Sequence, residues 1–144
     1  MAEPDKIFAK PCYCTSLRKT ARAVTKFYDA ALEESGIRVT QYALLSHLSR
    51  LGPVSMRELS ESVNLERTTL LRNLHPLARH GLVRVESGPS SRAHRISLTE
   101  EGAAELESTR PHWEKAQNKI HLALDAEERE LLNRLLQKLR NIVA

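Results

Sequence analysis

Residues 82–98, with the sequence LVRVESGPSSRAHRISL, constrain the fold of this chain more than any other segment. Apolar and polar residues alternate in two short runs, at Val83 and Val85 and again at Ile96 and Leu98, as they do in paired strands. A small polar Gly-Pro-Ser-Ser-Arg tip lies between the runs. The pattern predicts a β-hairpin. Because two strands alone are only marginally stable, we expect this hairpin to pack against neighbouring helices.

Helical periodicity dominates the chain before this hairpin. Apolar residues advance by three and four from Leu17 to near Gly36, which predicts a first amphipathic helix. Thr40 can cap a second helix, and Gly52-Pro53 stops it. The segment Ser55-Met56-Arg57-Glu58 is a capping-box pattern, in which the serine and the glutamate satisfy each other's backbone donors. It predicts a short third helix.

A fourth helix is predicted over residues 65–80 and ends at Gly81. Pro76 lies inside it and removes one backbone hydrogen bond, so we expect a bend in the last turn. The helical period predicts an inward face of Leu70, Leu71, Leu74, Leu77 and Ala78. The same period predicts an outward face of Arg67, Thr68, Thr69, Arg72, Asn73 and His75.

Two further helices are predicted after the hairpin. Thr99 is expected to cap the first, which runs toward Leu124 with a kink near Pro111. A capping pattern at Asp125–Glu128 opens the second. The apolar face of this terminal helix contains Leu131, Leu132, Leu135, Leu136, Leu139, Ile142 and Val143. So wide a stripe needs a partner surface, and we expect a dimer interface built from both chain ends. The alternative is that the terminal helix packs against its own domain.

The predicted fold is therefore mainly α with a small β-hairpin wing. At 144 residues the chain fits one domain. Within this domain, residues 37–98 are expected to form a winged helix-turn-helix lobe. Residues 1–36 and 99–144 are expected to form a helical dimerisation lobe.

The positive charge of the chain is concentrated in one segment. The chain has 22 Lys and Arg against 18 Asp and Glu, a net charge of +4. Residues 65–95 hold six arginines and two glutamates, so this segment accounts for a net +4 by itself. A local basic field is expected where a protein binds a polyphosphate, because counterion release drives such binding. A solvated surface without a partner is the alternative.

The third and fourth helices form a helix-turn-helix pattern. The second helix of such a pair can enter a major groove about 12 Å wide and present its polar face to bases or phosphates. At the hairpin tip, Arg92 can enter the minor groove, where narrow A·T tracts concentrate negative potential, and Ser90 and Ser91 allow close approach to phosphate. The candidate DNA-contacting residues are Ser55, Arg67, Thr68, Thr69, Arg72, Asn73, Ser90, Ser91, Arg92 and Arg95.

Two segments, NLERTTLLRNLHPLARHGLV and SRAHRISLTEEG, resemble the MarR family of winged-helix transcription regulators. The resemblance covers nearly the whole chain, and its most specific parts are Gly-Leu-Val at 81–83 and Leu-Thr-Glu-Glu-Gly at 98–102. It implies a homodimer that binds a pseudo-palindromic double-stranded DNA operator with two recognition helices and two wings, usually as a repressor. Ser90 departs from the family pattern, since members often carry there an aspartate that helps to orient the wing arginine, here Arg92.

The resemblance also implies an effector, because family members commonly leave DNA when a small aromatic acid binds or a cysteine is oxidised. The stretch CTSLRKTARAVTKFY is similar to the first helix of the organic-hydroperoxide-sensing branch, whose reactive cysteine falls at Cys14. One of that branch's two thiolate-binding tyrosines matches Tyr28, and the other falls on Arg18, which breaks the pattern. Independently of the resemblance, a position near a helix N-terminus can favour the Cys14 thiolate.

Other interpretations of these residues stay open. A free cysteine on an apolar stripe is commonly a small packed hydrophobe. Cys12 and Cys14 can also be metal ligands, although the six histidines show no spacing that supplies the missing ligands. Trp113, close to the predicted kink, is expected to pack in the core or the dimer interface, with an aromatic-ligand pocket as the alternative.

The sequence disfavours several classes of protein. It has no Gly-rich phosphate loop, no His-Glu-x-x-His spacing and no supported Ser-His-Asp set, so we expect neither an enzyme nor a cofactor. It has no secretory apolar segment and no apolar run near the roughly 20 residues that span a bilayer, so we expect a cytoplasmic protein without a membrane partner. The remaining alternative is a winged-helix protein-interaction module that does not read DNA.

Overall fold

The computed structural model describes residues 12–87 and 94–142. The predicted DNA contacts Ser90, Ser91 and Arg92 lie outside these residues. The elements of the described ranges, besides a 3-10 turn at Glu33–Ser35, are α1 (Tyr13–Ala31), α2 (Val39–Leu51), β1 (Val54–Ser55), α3 (Met56–Val63), α4 (Arg67–Arg79), β2 (Val83–Glu86), β3 (Arg95–Leu98), α5 (Glu100–Ala123) and α6 (Ala126–Asn141). The predicted fold class, mainly α with a small β wing, is confirmed.

The sheet of the wing has three strands, in the order β1-β3-β2, and not the two predicted. Strands β2 and β3 pair antiparallel with Val85 opposite Ile96. On the other side of β3, the two-residue strand β1 places Val54 opposite the same Ile96. Two residues are too few to show a period-two pattern, so β1 was not predictable from sequence. It connects the wing to the start of α3.

The hydrophobic core lies in what we call the central segment, residues 39–102. Its buried side chains come from α2, α3, α4 and all three strands: Tyr42, Leu44, Leu45, Leu48, Val54, Met56, Leu59, Leu70, Leu74, Leu77, Val83 and Ile96. Leu32 and Leu106 join this cluster from outside the segment. Trp113 of α5 packs against the core and stacks on Tyr42 with a ring-centre distance of 5.6 Å. The interpretation of Trp113 as a packing residue is therefore confirmed.

The predicted inward face of α4 was wrong at Leu71. The core side of this helix is occupied by Leu70, Leu74 and Leu77, whose spacing of four and three residues keeps them in line. Leu71 is turned about 100° away from Leu70, at 3.6 residues per turn, and is 45% exposed. The helix itself continues through Pro76 to Arg79, so the proline does not end it.

Three of the predicted helix caps are present. The Ser55, Thr99 and Asp125 side chains accept hydrogen bonds from backbone N–H groups three residues later, at 3.1, 2.9 and 2.9 Å. In the first of these caps, the Glu58 carboxylate accepts a hydrogen bond from the Ser55 hydroxyl, whereas the predicted capping box has it accept from the Ser55 backbone N–H.

The fourth predicted cap was wrong, because α2 begins at Val39, one residue before Thr40. The Val39 N–H donates to Asp29 Oδ1 of α1 at 2.8 Å. The acceptor at this helix start therefore comes from a neighbouring helix, which local sequence could not reveal.

The Gly-Leu-Val and Leu-Thr-Glu-Glu-Gly segments meet in the structure. The Thr99 side chain donates to the Gly81 carbonyl at 2.6 Å, and the Thr99 N–H donates to the Leu82 carbonyl at 3.1 Å. Gly102 lies so close that a Cβ there would come within 2.0 Å of the Leu82 carbonyl oxygen. The two segments therefore form one junction that joins α5 to the end of α4.

The terminal helices α1 and α6 bury no residue within the chain. Their exposed apolar side chains include Tyr13, Leu17, Val24 and Phe27 on α1, and Leu131, Leu132, Leu135, Leu139 and Ile142 on α6. The apolar stripe predicted for the last helix is thus not covered within the described part of the chain, and Val143 lies outside it. None of the described helices has both the length and the apolar character needed to cross a bilayer.

Candidate nucleic-acid interface

Helix α4 carries most of the predicted DNA contacts that the structure describes. Its buried leucines set its rotation on the core, so the opposite side faces solvent. Arg67, Thr68, Arg72 and His75 are exposed, whereas Thr69 and Asn73 are half-buried. The sequence thus predicted the polar face of this helix correctly. The structure adds that Thr69 and Asn73 lie at the edge of this face, where they are partly covered.

The half-buried edge of α4 faces the start of α2 across a depression of about 310 Å³. Arg38 at the start of α2 and Arg72 of α4 both line it, together with Thr40, Gln41, Asn73 and Pro76. The Gln41 side chain accepts a hydrogen bond from the Arg38 backbone N–H at 2.9 Å and so orders this corner. Two guanidinium groups beside one depression suit a phosphate, because each presents several donors in a plane.

Arg38 was missed by reasoning from the sequence. It precedes a helix and stands 34 positions before Arg72 in the chain. No periodicity or short motif connects residues at that separation. Only the packing of α4 on α2 shows that they share a surface.

Ser55 and Arg95 lie opposite each other in the β1–β3 pair. The Ser55 hydroxyl is engaged with Glu58, as described above, and the Arg95 side chain donates to the Pro53 carbonyl at 3.2 Å. Both residues were predicted to contact DNA, and in this structure both also have partners within the protein. Arg95 is exposed and Ser55 is half-buried.

The two cysteines are exposed at the start of α1. Cys12 is the residue just before the helix, and hydrogen bonds from the side chain and backbone of Thr15 lower the pKa of its thiol. Cys14 is not packed within its own chain, so the packed-hydrophobe interpretation would need a second chain. The described residues contain no group of three or more His, Cys, Asp or Glu that could hold a metal ion.

The other two predicted redox residues stand at different distances from Cys14 on α1. Arg18 follows one turn later on the same face. Tyr28 is 14 positions after Cys14, which is about 21 Å along a helix that rises 1.5 Å per residue. The Tyr28 hydroxyl donates to Gln117 Oε1 of α5, and burial raises its pKa. Tyr28 therefore does not touch Cys14 within one chain, and such a contact requires a second copy.

Comparisons with known proteins agree with this geometry. Residues 39–102 match the family described as the Winged helix DNA-binding domain. The transcriptional regulator MosR of M. tuberculosis, solved in complex with DNA, is 35% identical to this chain with a TM-score of 0.79, and the match covers 92% of this chain and 98% of MosR. The uncharacterized HTH-type transcriptional regulator YwoH of Bacillus subtilis is 24% identical over 84% of this chain and 88% of its own length.

A more distant structure shows the same fold. A mutant MarR of E. coli, solved with operator DNA, is 19% identical with a TM-score of 0.79, and the match covers 96% of this chain and 99% of that one. These similarities include the terminal helices as well as the central segment. With a relative 35% identical along nearly its whole length, the chain is a DNA-binding transcription regulator and belongs to the MarR family of winged helix-turn-helix proteins.

Proposed function

We propose that two copies of this chain bind one pseudo-palindromic operator as a repressor and that an effector releases them. The observation that carries the proposal is a contrast on the surface. The exposed face of α4 is mainly cationic and polar, whereas α1 and α6 each expose a stripe of large apolar side chains. The first surface suits a polyphosphate duplex, and the second suits a copy of itself.

Helix α4 supplies the major-groove contacts in this proposal. Arg67, Thr68 and Arg72 are exposed, and an arginine can donate two hydrogen bonds to a guanine. Thr69 and Asn73 contact the duplex from the edge of the helix, and Arg38 adds a phosphate contact beside Arg72. Ser90, Ser91 and Arg92 remain the predicted wing contacts. Ser55 and Arg95 are proposed contacts near the wing.

A second copy is the proposed occupant of the terminal apolar surface. Besides the exposed leucines of α6, an apolar depression of about 320 Å³ lies between α1 and α5, lined by Ala23, Val24, Phe27, Lys119, Ile120 and Ala123. Burying one leucine or phenylalanine stabilises an association by about 1.5–3 kcal/mol. A two-fold dimer would place two recognition helices on half-sites about 34–36 Å apart, which is one turn of DNA.

Two release mechanisms are compatible with the structure. In the first, an organic hydroperoxide oxidises Cys14, which is exposed and has Arg18 one turn away. In the second, a small aromatic acid binds a depression of about 390 Å³ between α1 and α5, where Phe27 can contact a ring. Lys115 or Lys119 can pair with its carboxylate, in a lining that also contains Glu33 and Glu34. Both sites lie on helices that carry the proposed dimer surface, so either event can change the spacing of the two recognition helices.

DNA binding is tested with a duplex that the 144-residue chain selects from a pool of random palindromes. Arg72→Ala should weaken binding by about 1–3 kcal/mol if Arg72 contacts a base. Arg110→Ala is the control, because Arg110 is exposed on α5 and pairs with Glu107. Wild-type affinity should fall as salt rises. A DNA affinity that does not change with salt concentration, or no binding to any duplex, would favour the protein-interaction module.

The release step is tested by treating the protein–DNA complex with an organic hydroperoxide. Release should occur in the wild type and be abolished by Cys14→Ser. Cys12→Ser is the matched control, and it is needed because Thr15 lowers the pKa of Cys12. If release is lost in Cys12→Ser and kept in Cys14→Ser, the sensor is Cys12. A wild type that stays bound excludes oxidation and leaves the aromatic acid to be tested by the same assay.

A further inference from the structure

Leu71 is the large exposed apolar residue of the recognition helix α4. It is 45% exposed, whereas the three leucines that anchor the helix are at most 2% exposed. One turn before it are Arg67 and Thr68, and one turn after it is His75, all of them exposed. Leu71 therefore belongs to the surface that would enter the DNA groove and not to the core.

The groove offers one apolar partner to such a side chain. Base edges in the major groove present hydrogen-bond donors and acceptors, and the single apolar group among them is the C5-methyl of thymine. A leucine can neither donate nor accept a hydrogen bond. Placed against a polar base edge, it would leave that edge without a partner after water is expelled, which costs free energy.

We propose that Leu71 packs against a thymine methyl group and selects a T·A pair at one position of each half-site. The proposal rests on the proposed function, since it requires that α4 lie in the major groove. It makes Leu71 a specificity-determining residue, whereas the neighbouring arginines supply hydrogen bonds and charge.

The surroundings of Leu71 favour a duplex over an apolar protein partner. Arg67 and Arg72 are exposed beside it on the same helix. A protein surface that covered Leu71 would also bury these guanidinium groups, and buried charge is costly unless it is paired. Along a DNA groove, phosphates flank the bases and pair with arginines while the groove floor meets the leucine.

The experiment removes one methyl group at a time from the DNA. In the operator selected by the wild-type chain, each thymine of a half-site is replaced in turn by deoxyuridine, which lacks only the C5-methyl. Dissociation constants are measured for the wild type, Leu71→Ala and Thr68→Ser. Thr68→Ser is the control because it removes a methyl group from the neighbouring exposed position and keeps the hydroxyl.

For the wild type, deoxyuridine at one position should weaken binding about fourfold, the factor for burying one methyl-sized group. Leu71→Ala should bind the unmodified operator more weakly and lose no further affinity at that position. Leu71→Met keeps an apolar side chain and should retain the methyl dependence. Thermal unfolding of each variant checks that the exposed substitution leaves the fold intact.

Several outcomes would overturn the assignment. If no deoxyuridine replacement weakens binding by the wild type, Leu71 contacts no thymine methyl. If a replacement weakens binding equally in the wild type and in Leu71→Ala, the methyl contact is not made by Leu71. In both cases the proposal that the chain binds DNA is unaffected. Loss of methyl dependence in Thr68→Ser with retention in Leu71→Ala moves the contact to Thr68. Failure of the wild type to bind any duplex is different, because it overturns the proposed function itself.

Discussion

The central segment and the terminal helices have the same kind of sequence pattern but differ in whether its apolar residues are buried within the chain. Both carry large apolar residues at helical spacing. In the central segment most of these residues are buried against other parts of the same chain, and in α1 and α6 no residue is buried. Periodicity therefore predicts a helix and its apolar face, but it does not say which surface covers that face. The central segment has its own core, whereas the apolar side chains of α1 and α6 are not covered within the described part of the chain.

Leu45→Ala should have the largest effect on stability, because Leu45 of α2 is fully buried in the core. Removing a buried leucine side chain leaves a cavity, so the free energy of unfolding should fall by about 2–5 kcal/mol. Denaturant titration at two protein concentrations measures the loss, which should be the same at both. A loss below about 1 kcal/mol would show that the central segment does not depend on this core.

Leu135→Glu should act on association and leave the central segment folded. Each protomer would lose the burial of one leucine, worth about 1.5–3 kcal/mol, so the dimer dissociation constant should rise at least tenfold. Sedimentation velocity over a range of concentrations measures this. Arg134→Glu places the same side chain at the preceding residue, away from the leucine stripe, and should change the dissociation constant less. Equal effects in the two variants would argue against a dimer surface on the leucine face.

Gly102→Ala tests the junction between the central segment and α5. The added Cβ would collide with the Leu82 carbonyl oxygen, and such overpacking costs about 1–3 kcal/mol. Ala103→Gly is the matched control, because its cost of about 1 kcal/mol reflects helix propensity alone. Alanine is the better helix former, so a stability gain in Gly102→Ala would show that the close contact is absent. Thermal and denaturant unfolding of both variants provide the comparison.

His47→Gln should have the smallest effect, and only at low pH. His47 Nδ1 lies 3.0 Å from Ser62 Oγ of α3 and 3.0 Å from the Arg50 side chain. Burial, and then the charge of Arg50, lower its pKa below 6.5. The unfolded chain therefore binds the proton more readily, and stability should fall as pH drops from 6.5 through the folded-state pKa.

Unfolding midpoints at about pH 7.5 and about pH 5 measure this dependence, which should be weaker in His47→Gln. His80→Gln, a change at an exposed histidine after α4, is the control. If His47→Gln and the wild type lose the same stability on acidification, His47 does not link α2 to α3 in a pH-dependent way.

Much of the candidate DNA surface was predictable from the sequence, because it depends on one helix. The buried leucines of α4 and its outward arginines follow from a period of 3.6 residues. The exception was Leu71, which an apolar-inward rule places in the core. Its exposure depends on which sector of α4 the core can cover, and that sector is defined by α2, α3 and the sheet.

Sequence alone determined the features that form within a few residues. The caps at Ser55, Thr99 and Asp125 each join a side chain to a backbone N–H three positions away, so local chemistry suffices. Only the tertiary structure brought distant residues together. Asp29 accepts from the start of α2, β1 pairs with β3, and Arg38 shares a surface with Arg72. These contacts join residues 10 or more positions apart, and only the packing of whole elements against one core decides them.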